Sequence, residues 1–321
     1  MKLFKYLTKD RIIRGLRVRI FRSIFFDLNT DVNKSNLICG SGRSGTTWLG
    51  ELINYKNEYR TIFEPFHKNR VRAWEAFGHR FYFPVNDESK ELFDACENIL
   101  SGKLRDKWSS THNTKFIANS RIVKEISINN ILPYIHKHFP KLKIIYIYRN
   151  PFFVANSRLR LNWHLEVDQT VVTDINVFLK QKELMDDYLY PFEDLFKDTS
   201  LSYFEKEIIF WCCENYIPLN QMKESDYFIK TSYESLLNDS EEELRRIFWF
   251  LGKDFDTSIL ERINMPSITV GRQIGKRWKK STSYVESGIC TQNELKKAKW
   301  ILDRFDLSKH FSLPDETSMI K

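Results

Sequence analysis

The sequence has 321 residues, 42% of them hydrophobic and 29% charged, which is the composition of a globular protein and excludes a disordered chain. Its formal net charge of +8 suggests nucleic-acid binding, but residues 1–26 alone contain eight basic residues and one acidic residue, Asp10. The rest of the chain is nearly neutral, so we expect no nucleic-acid partner.

Residues 1–30 are predicted to form a basic amphipathic helix, in which apolar residues such as Leu7, Ile13 and Ile20 alternate with lysines and arginines. Residues 31–321 are predicted to form a single domain. We favour packing of the helix against this domain, with its charges in water. The alternative is that residues 1–26 lie against the inner membrane surface, as basic amphipathic helices can.

Strands and helices alternate in the next part of the chain, which predicts an α/β fold with a central parallel sheet flanked by helices. Ligands of such folds bind beyond the carboxyl ends of the strands. The candidate sites therefore follow Cys39, Ile126 and Tyr148. The predicted order is strand, helix, strand, helix and strand at 36–39, 46–55, 116–126, 130–138 and 142–148.

The remaining chain is predicted to be mostly helical. A segment at about 165–220 is rich in aromatic residues, and we expect it to cover the side where an acceptor binds. After it come a strand, a turn with a helix, a basic loop and a last helix, at 227–231, 233–251, 271–283 and 294–305.

The strongest motif is the glycine-rich turn Gly40–Thr47 between the first strand and the first helix. Its glycines allow consecutive backbone N–H groups to point at one anion, and the helix N-terminus adds to the attraction. The P-loop of kinases has lysine before its final hydroxyl residue, where this chain has Thr46. That lysine serves β- and γ-phosphates, so its absence predicts a nucleotide without them, with Arg43 supplying positive charge.

The stretch Gly42-Arg43-Ser44-Gly45-Thr46-Thr47-Trp48-Leu49 resembles the 5′-phosphosulfate loop of sulfotransferases that use 3′-phosphoadenylyl sulfate (PAPS). Its arginine resembles the carbohydrate and tyrosyl-protein members more than the cytosolic phenol type. The resemblance implies the sulfotransferase form of the P-loop-NTPase-like architecture, with adenosine 3′,5′-bisphosphate (PAP) as product. It implies that Arg43 contacts the sulfonate, Thr46 and Thr47 the 5′-phosphate and Trp48 the adenine. The donor-binding residues implied here are Gly42, Arg43, Ser44, Gly45, Thr46, Thr47 and Trp48.

Further donor contacts are implied later in the chain. Arg149, at the end of a strand, and Ser157, eight residues on, resemble the family's clamp for the 3′-phosphate. Tyr233 follows another strand and resembles the tyrosine beside adenine, although an aromatic residue pinning a helix start explains it equally well. Arg272 and Gly275 resemble part of a flap over the 3′-phosphate, with spacing different by one residue.

The chemistry is expected to depend on a carboxylate. Lys124 matches a lysine that precedes the catalytic histidine of cytosolic members, but the histidine position here is Ile126. Glu64 lies about where carbohydrate and tyrosyl-protein members carry a glutamate, and we predict that it is the general base. Glu125 is the second candidate, but neighbours on a strand point to opposite faces, so Lys124 and Glu125 should not both face the donor.

Cysteines and histidines indicate neither disulfides nor a metal site. The five cysteines contain no Cys-x-x-Cys pair, and His136 and His138 are two residues apart, which separates them on a helix. No apolar run of 18 residues and no signal-peptide pattern occurs. We expect no metal and a cytoplasmic location.

The sequence thus predicts a PAPS-dependent sulfotransferase that acts on an acceptor hydroxyl. The acceptor class that the loop arginine and the glutamate favour is a sugar or a glycolipid. Two alternatives stay open: a P-loop nucleotide kinase, disfavoured by Thr46, and a non-catalytic nucleotide-binding protein associated with a membrane.

Overall fold

Five of the strands form one sheet in which all neighbours are parallel, in the order β3, β5, β2, β6, β7. The computed structural model describes residues 15–17, 19–21, 23–165, 173–263, 265, 267, 284–285 and 287–311. Within them the strands are β1 Phe26–Asp27, β2 Ser35–Cys39, β3 Arg60–Phe63, β4 Ile117–Ala118, β5 Arg121–Glu125, β6 Lys143–Tyr148 and β7 Phe228–Ser232. β1 and β4 form a separate parallel pair.

Helices connect the strands and cover the sheet. The α-helices are α1 Thr46–Ile53, α2 Lys90–Leu100, α3 Leu132–His138, α4 Pro151–Arg160, α5 Asn176–Leu179, α6 Lys182–Leu184, α7 Glu193–Lys197, α8 Tyr203–Tyr216, α9 Tyr233–Asn238, α10 Ser240–Leu251 and α11 Gln292–Arg304. Short 3-10 helices occur at Val32–Lys34, Arg72–Phe77, Asn129–Ile131, Tyr190–Phe192, Thr257–Arg262 and Ser308–His310, and π-helical turns at Met185–Leu189 and Ile217–Gln221.

The sheet is buried on both faces, as expected for a parallel sheet. Alternate side chains of a strand point to opposite faces, so Leu37 and Cys39 of β2 join the larger core with α8, whereas Ile38 joins the smaller core with α1 and α10. This two-sided burial holds the carboxyl ends of the strands in fixed positions relative to one another. The prediction of a parallel sheet flanked by helices is confirmed.

β2 is the point where the strand order reverses. β3 and β5 lie on one side of it and β6 and β7 on the other, so the loops that follow β2 and its neighbours diverge around a crevice. The predicted strand 116–126 is instead divided into β4 and β5 by the residues Asn119 and Ser120, and β4 leaves the main sheet to pair with β1. β3 and α2 had no counterpart in the sequence prediction.

The predicted N-terminal helix 1–30 ends earlier in the structure: residues 23–30 are not helical, because Phe26–Asp27 form β1 and pair with β4. Residues 15–17 and 19–21 are helical. Residues 1–14 lie outside the description, as do 166–172 of the predicted acceptor-side segment and 268–283, which include the predicted basic loop 271–283. No helix in the described part of the chain has both the length and the hydropathy needed to span a membrane. All five cysteines are buried and unpaired.

Candidate functional site

The glycine-rich turn follows β2 at the reversal point of the sheet and leads directly into α1. Gly45, the residue before the helix, has a φ of +97°, and Arg43 has a φ of +78°, both in the left-handed region. A hydrogen bond from Ser44 N–H to the carbonyl of Ser41 closes the turn at 3.1 Å. Of the three glycines in the turn only Gly45 adopts a left-handed φ, so the prediction that the glycines supply this conformation holds for Gly45 and not for Gly40 or Gly42.

The turn leaves backbone donors without protein acceptors. Within the described residues, the N–H groups of Arg43, Gly45, Thr46 and Thr47 take part in no hydrogen bond, and no side chain caps the N-terminus of α1. Parallel N–H groups and the positive end of the helix dipole form an anion site. The site therefore suits a phosphate group.

Close packing explains the glycines of this turn. A Cβ at Gly42 would lie 2.9 Å from the ring of Trp163, and one at Gly45 would lie 2.7 Å from the ring of Tyr233. Two aromatic rings thus stand against the backbone of the loop. Trp48 lies beside Tyr233, with ring centroids 5.2 Å apart, which places both aromatic residues assigned to adenine at one edge of the loop.

Three guanidinium groups converge on the loop. Arg43 donates from Nε to Oγ of Ser157 at 3.0 Å, and Arg149 donates to the carbonyl of Arg43 at 3.3 Å while stacking over Tyr233 at 4.4 Å. Nε of Arg149 is buried without a hydrogen-bond partner in the described residues. Burial, together with the positive charges of Arg149 and Arg158, lowers the pKa of Arg43. An anion bound here would relieve this repulsion.

The family resemblance assigned Arg43 to the sulfonate and Ser157 to the 3′-phosphate, which are at different ends of the donor. The structure joins the two side chains directly, so the two assignments belong to one cluster. Ser157 lies in the second half of α4, and Arg149 directly precedes that helix beyond β6. An unpartnered guanidinium nitrogen and a charge cluster of one sign fit a nucleotide with two phosphate groups.

A buried network of charged residues, which the sequence analysis did not predict, holds the loop through the carbonyl of Gly42. Arg158 donates to the carbonyl of Gly42 at 3.1 Å and pairs with Glu214 at 2.6 Å and Glu207 at 3.6 Å. Arg80 completes it with a 2.7 Å ion pair to Glu214. Burial opposes the charge of Arg158, but Glu214 and Glu207 outweigh that effect and raise its pKa.

The protonation equilibrium of Glu207 in this network was also not predicted from the sequence. Burial raises its pKa to about 7, although the positive charge of Arg158 acts in the opposite direction. The sequence signal for the network is weak, because single charged residues in the apolar stretches of α4 and α8 resemble the many that are solvated.

Glu64 lies at the carboxyl end of β3, beside Lys124 on the neighbouring strand β5. Its N–H donates to the carbonyl of Lys124 at 2.7 Å, and its carboxylate pairs with the Lys124 ammonium at 2.5 Å. The two side chains are 12% and 6% exposed, so the pair is accessible but largely shielded from water. Glu64 has a φ of +43°, in the left-handed region that residues other than glycine seldom adopt.

Glu125 occupies a different environment from Glu64. Its carboxylate accepts hydrogen bonds from the N–H groups of Phe66, Ile126 and Ser127 and from the Ser127 hydroxyl, at 2.7 to 3.0 Å. Burial and the charge of Glu64 raise its pKa. Four donors bind this side chain to the backbone that follows β3 and β5, which is the arrangement of a structural carboxylate.

Aromatic and histidine side chains surround Glu64 and Lys124. Phe63 lies under the Lys124 ammonium at 4.7 Å and packs edge-on against His112 at 4.3 Å. His67 and Trp108 extend this rim with centroids 5.7 Å apart, and burial lowers the pKa of His67 while Glu64 opposes the effect. Sequence reasoning did not single out these residues, because isolated aromatic residues are more often core than site.

Two predicted donor contacts, Arg272 and Gly275, lie outside the described residues. Among the residues that the structure describes, no three side chains of His, Cys, Asp or Glu type cluster as metal ligands do. The described parts of the predicted site otherwise meet along one edge of the sheet, from Glu64 beyond β3 to Tyr233 beyond β7.

Comparison with known proteins gives one family. Residues 33–282 match the family model described as sulfotransferase domain. No curated protein matches the sequence.

Solved structures with similar folds are distant. Mouse sulfotransferase SULT7A1 complexed with PAP is 16% identical, covers 93% of this chain and 92% of its own, and has a TM-score of 0.42. A sulfotransferase from Alicyclobacillus acidocaldarius is 13% identical, with 87% and 97% covered and a TM-score of 0.39. Retinol dehydratase in complex with androsterone and inactive cofactor PAP is 15% identical, with 95% and 88% covered and a TM-score of 0.42. These likenesses are too distant to assign an acceptor to this chain.

Proposed function

Since this chain belongs to the sulfotransferase family and is a PAPS-dependent enzyme of that class, we propose that it sulfates a hydroxyl group of a carbohydrate or glycolipid, with Glu64 as general base. The observation that carries the proposal is the Glu64–Lys124 pair at the carboxyl edge of the sheet. A base and a cation on adjacent strands suit a reaction that removes a proton and stabilises developing negative charge.

The donor fits the loop and the arginine cluster. The N–H groups of the turn that have no acceptor among the described residues suit a 5′-phosphate, and Arg149 with Ser157 suits a 3′-phosphate. Thr46 stands where a kinase has its lysine, which disfavours a nucleotide with β- and γ-phosphates. Trp48 and Tyr233 offer aromatic surface for adenine.

The transfer balances with the groups present. The acceptor oxygen forms a bond to sulfur while the bond between sulfur and the bridging phosphate oxygen breaks, so PAP leaves with that electron pair. The acceptor proton passes to the carboxylate of Glu64. Lys124 and Arg43 stabilise charge on the sulfonate and on the leaving oxygen, by analogy with the in-line geometry of phosphoryl transfer.

Phe63 is buried under the Lys124 ammonium, so the half-buried members of the rim, His67, Trp108 and His112, are the ones that support a sugar acceptor. Flat aromatic faces pack against the C–H faces of sugar rings, and the imidazoles supply hydrogen-bonding groups for hydroxyls. A small phenol would also stack here, so the acceptor class rests on assay. Sulfur-labelled PAPS offered with glycans, glycolipids, tyrosine peptides and simple phenols should label the first two classes preferentially.

Replacement of the proposed base tests the mechanism. We expect Glu64→Gln to lower kcat by at least about a hundredfold, because an amide cannot take the acceptor proton. The dissociation constant of PAP, measured by calorimetry, should change by no more than a few-fold. Glu88→Gln, at an exposed glutamate with no described partner, is the matched control. If Glu64→Gln kept the kcat of wild type, the assignment of Glu64 as general base would be wrong.

Binding and turnover measurements distinguish the proposed sulfotransferase from the two alternatives, a P-loop nucleotide kinase and a non-catalytic nucleotide-binding protein. Calorimetry should detect PAP binding and no comparable binding of ATP with Mg²⁺, whereas a nucleotide kinase gives the reverse. A non-catalytic binding protein would bind PAP but release no labelled product from PAPS with any acceptor class.

A further inference from the structure

An apolar surface is exposed where the N-terminal part of the chain meets β4. Large hydrophobic side chains there are between 39% and 70% exposed, which is unusual when they are adjacent. We call them the apolar patch: Leu16, Ile20, Ile24, Phe26, Leu28, Phe116 and Ile117.

Ring contacts and strand pairing join the two chain segments that carry the patch. Leu16 and Ile20 are four residues apart in the helical segment and so share a face. Phe116 packs against Phe26 with ring centroids 5.4 Å apart, and Phe26 pairs in register with Ile117. Phe21 contacts the same Phe116 ring at 5.3 Å. The patch is therefore one surface built from two segments of the chain.

Positive charge borders this surface. Arg17 and Arg19 are exposed in the same helical segment, and Lys115 precedes Phe116. Arg17, Phe21, Lys115, Phe116 and Ile117 line a surface cavity of about 320 Å³. Two copies of such a surface would repel each other, whereas an anionic surface would attract it.

We propose that the apolar patch and its arginines form a docking surface for an anionic lipid bilayer. Apolar side chains enter the boundary between headgroups and acyl chains, and the basic residues bind anionic headgroups. The alternative, in which the helix of residues 1–30 packs on the domain, predicts that its apolar side chains are covered. The apolar side chains of the patch are exposed.

Docking is independent of the proposed reaction because the two surfaces lie at opposite ends of the strands. Asp27 of β1 pairs with Arg60, the first residue of β3, and Arg121, the first residue of β5, bonds the carbonyl of Asp31. The patch thus adjoins the amino ends of the strands, whereas Glu64 lies at a carboxyl end. Loss of docking should leave PAP binding unchanged, so the two proposals can fail separately.

Vesicle flotation with the full chain tests the docking surface. We expect wild type to float with vesicles that mix phosphatidylcholine with phosphatidylglycerol, and to remain unbound with phosphatidylcholine alone. The double change Arg17→Glu and Arg19→Glu should lower the bound fraction at least about five-fold, and high salt should do the same. Ile20→Asp with Ile117→Asp should lower it similarly.

Matched controls are available elsewhere on the surface. Trp249→Asp removes an apolar side chain that is 80% exposed on α10, and Lys180→Glu reverses an exposed charge; both should float like wild type. Exposure of the changed side chains favours retained folding, which PAP binding verifies. The proposal is overturned if wild type does not bind anionic vesicles, or if the patch variants bind them as well as wild type does. A wild-type dimer that binds no vesicles and that the patch changes convert to a monomer would show that the patch is a dimer interface instead.

Discussion

Glu64 is held in a conformation that few residues other than glycine adopt. Its left-handed φ costs roughly 1 kcal/mol or more and persists because neighbouring contacts fix it. The bond from its N–H to the Lys124 carbonyl and the ion pair with the Lys124 side chain are those contacts. Backbone strain at a carboxylate that faces a crevice is typical of functional positions, and it adds to the reasons for preferring Glu64 over Glu125.

Ser157 is expected to contribute to donor binding through Arg43. Removing its hydroxyl leaves Nε of Arg43 without the acceptor at 3.0 Å and removes one predicted contact of the 3′-phosphate. We expect Ser157→Ala to weaken PAP binding about tenfold or more, in line with a hydrogen bond to a charged group. Calorimetry measures this, with Ser258→Ala at an exposed serine as the control. Equal PAP affinity in the two variants would contradict the assignment.

The residues of the candidate site differ in how far the sequence revealed them. Gly42 to Trp48 are contiguous, and their spacing reflects a local backbone requirement, so a pattern sufficed. Arg158 could not be found in this way because its partners Glu207 and Glu214 are about fifty residues away. Contacts between distant segments depend on tertiary packing, which has no local signature.

At the level of elements, the turn and α1 act as one unit whose shape depends on glycine. Gly45→Ala places a Cβ against the Tyr233 ring and forces alanine into a left-handed φ. We expect a loss of roughly 1–3 kcal/mol of stability and a clear loss of PAP affinity. Thermal unfolding and calorimetry measure the two effects.

Gly50→Ala is the control for this change within the same helix. A Cβ at Gly50 makes ordinary contacts, 3.7 Å from Ile38 and 3.9 Å from Ile122, so alanine should be neutral or stabilising by roughly 0.5–1 kcal/mol. Similar losses in both variants would mean that α1 tolerates no added volume, and the argument from the turn would fall.

Element prediction succeeded where periodicity was strong and failed where strands were short or polar. β6 is a run of apolar residues and was predicted within one residue, since a strand buried on both faces has that composition. β3 escaped because it has four residues and begins with a buried arginine, Arg60, whose charge is paired with Asp27. The division between β4 and β5 depends on a backbone turn that the apolar pattern on either side conceals.

On the scale of the whole molecule, the buried charge network couples stability to pH. Because burial raises the pKa of Glu207 from 4.5 to about 7, the folded protein holds that proton more tightly than the unfolded chain. The resulting stabilisation is complete below about pH 4.5 and is lost as pH rises through about 7. The stability of wild type relative to Glu207→Gln should therefore decrease between about pH 5 and pH 8.

Thermal unfolding of the two proteins across this pH range measures the effect. Glu241→Gln, which alters only an exposed pair with Arg245, should follow wild type at every pH. Parallel stability curves for wild type and Glu207→Gln would exclude Glu207 as the titrating group.

The direction of the parallel strands also determines how far the reaction centre lies from a membrane bound at the apolar patch. The strands β3 and β5 begin beside the apolar patch and run, parallel to β2, toward the end of the sheet that carries the donor loop, and five residues of strand span about 17 Å. A protein that rests on a bilayer through its patch with the strands along the membrane normal would hold its reaction centre about that distance from the headgroups. Hydroxyls on extended glycan chains could be sulfated from that position, whereas a single sugar flush with the lipid surface would lie too low.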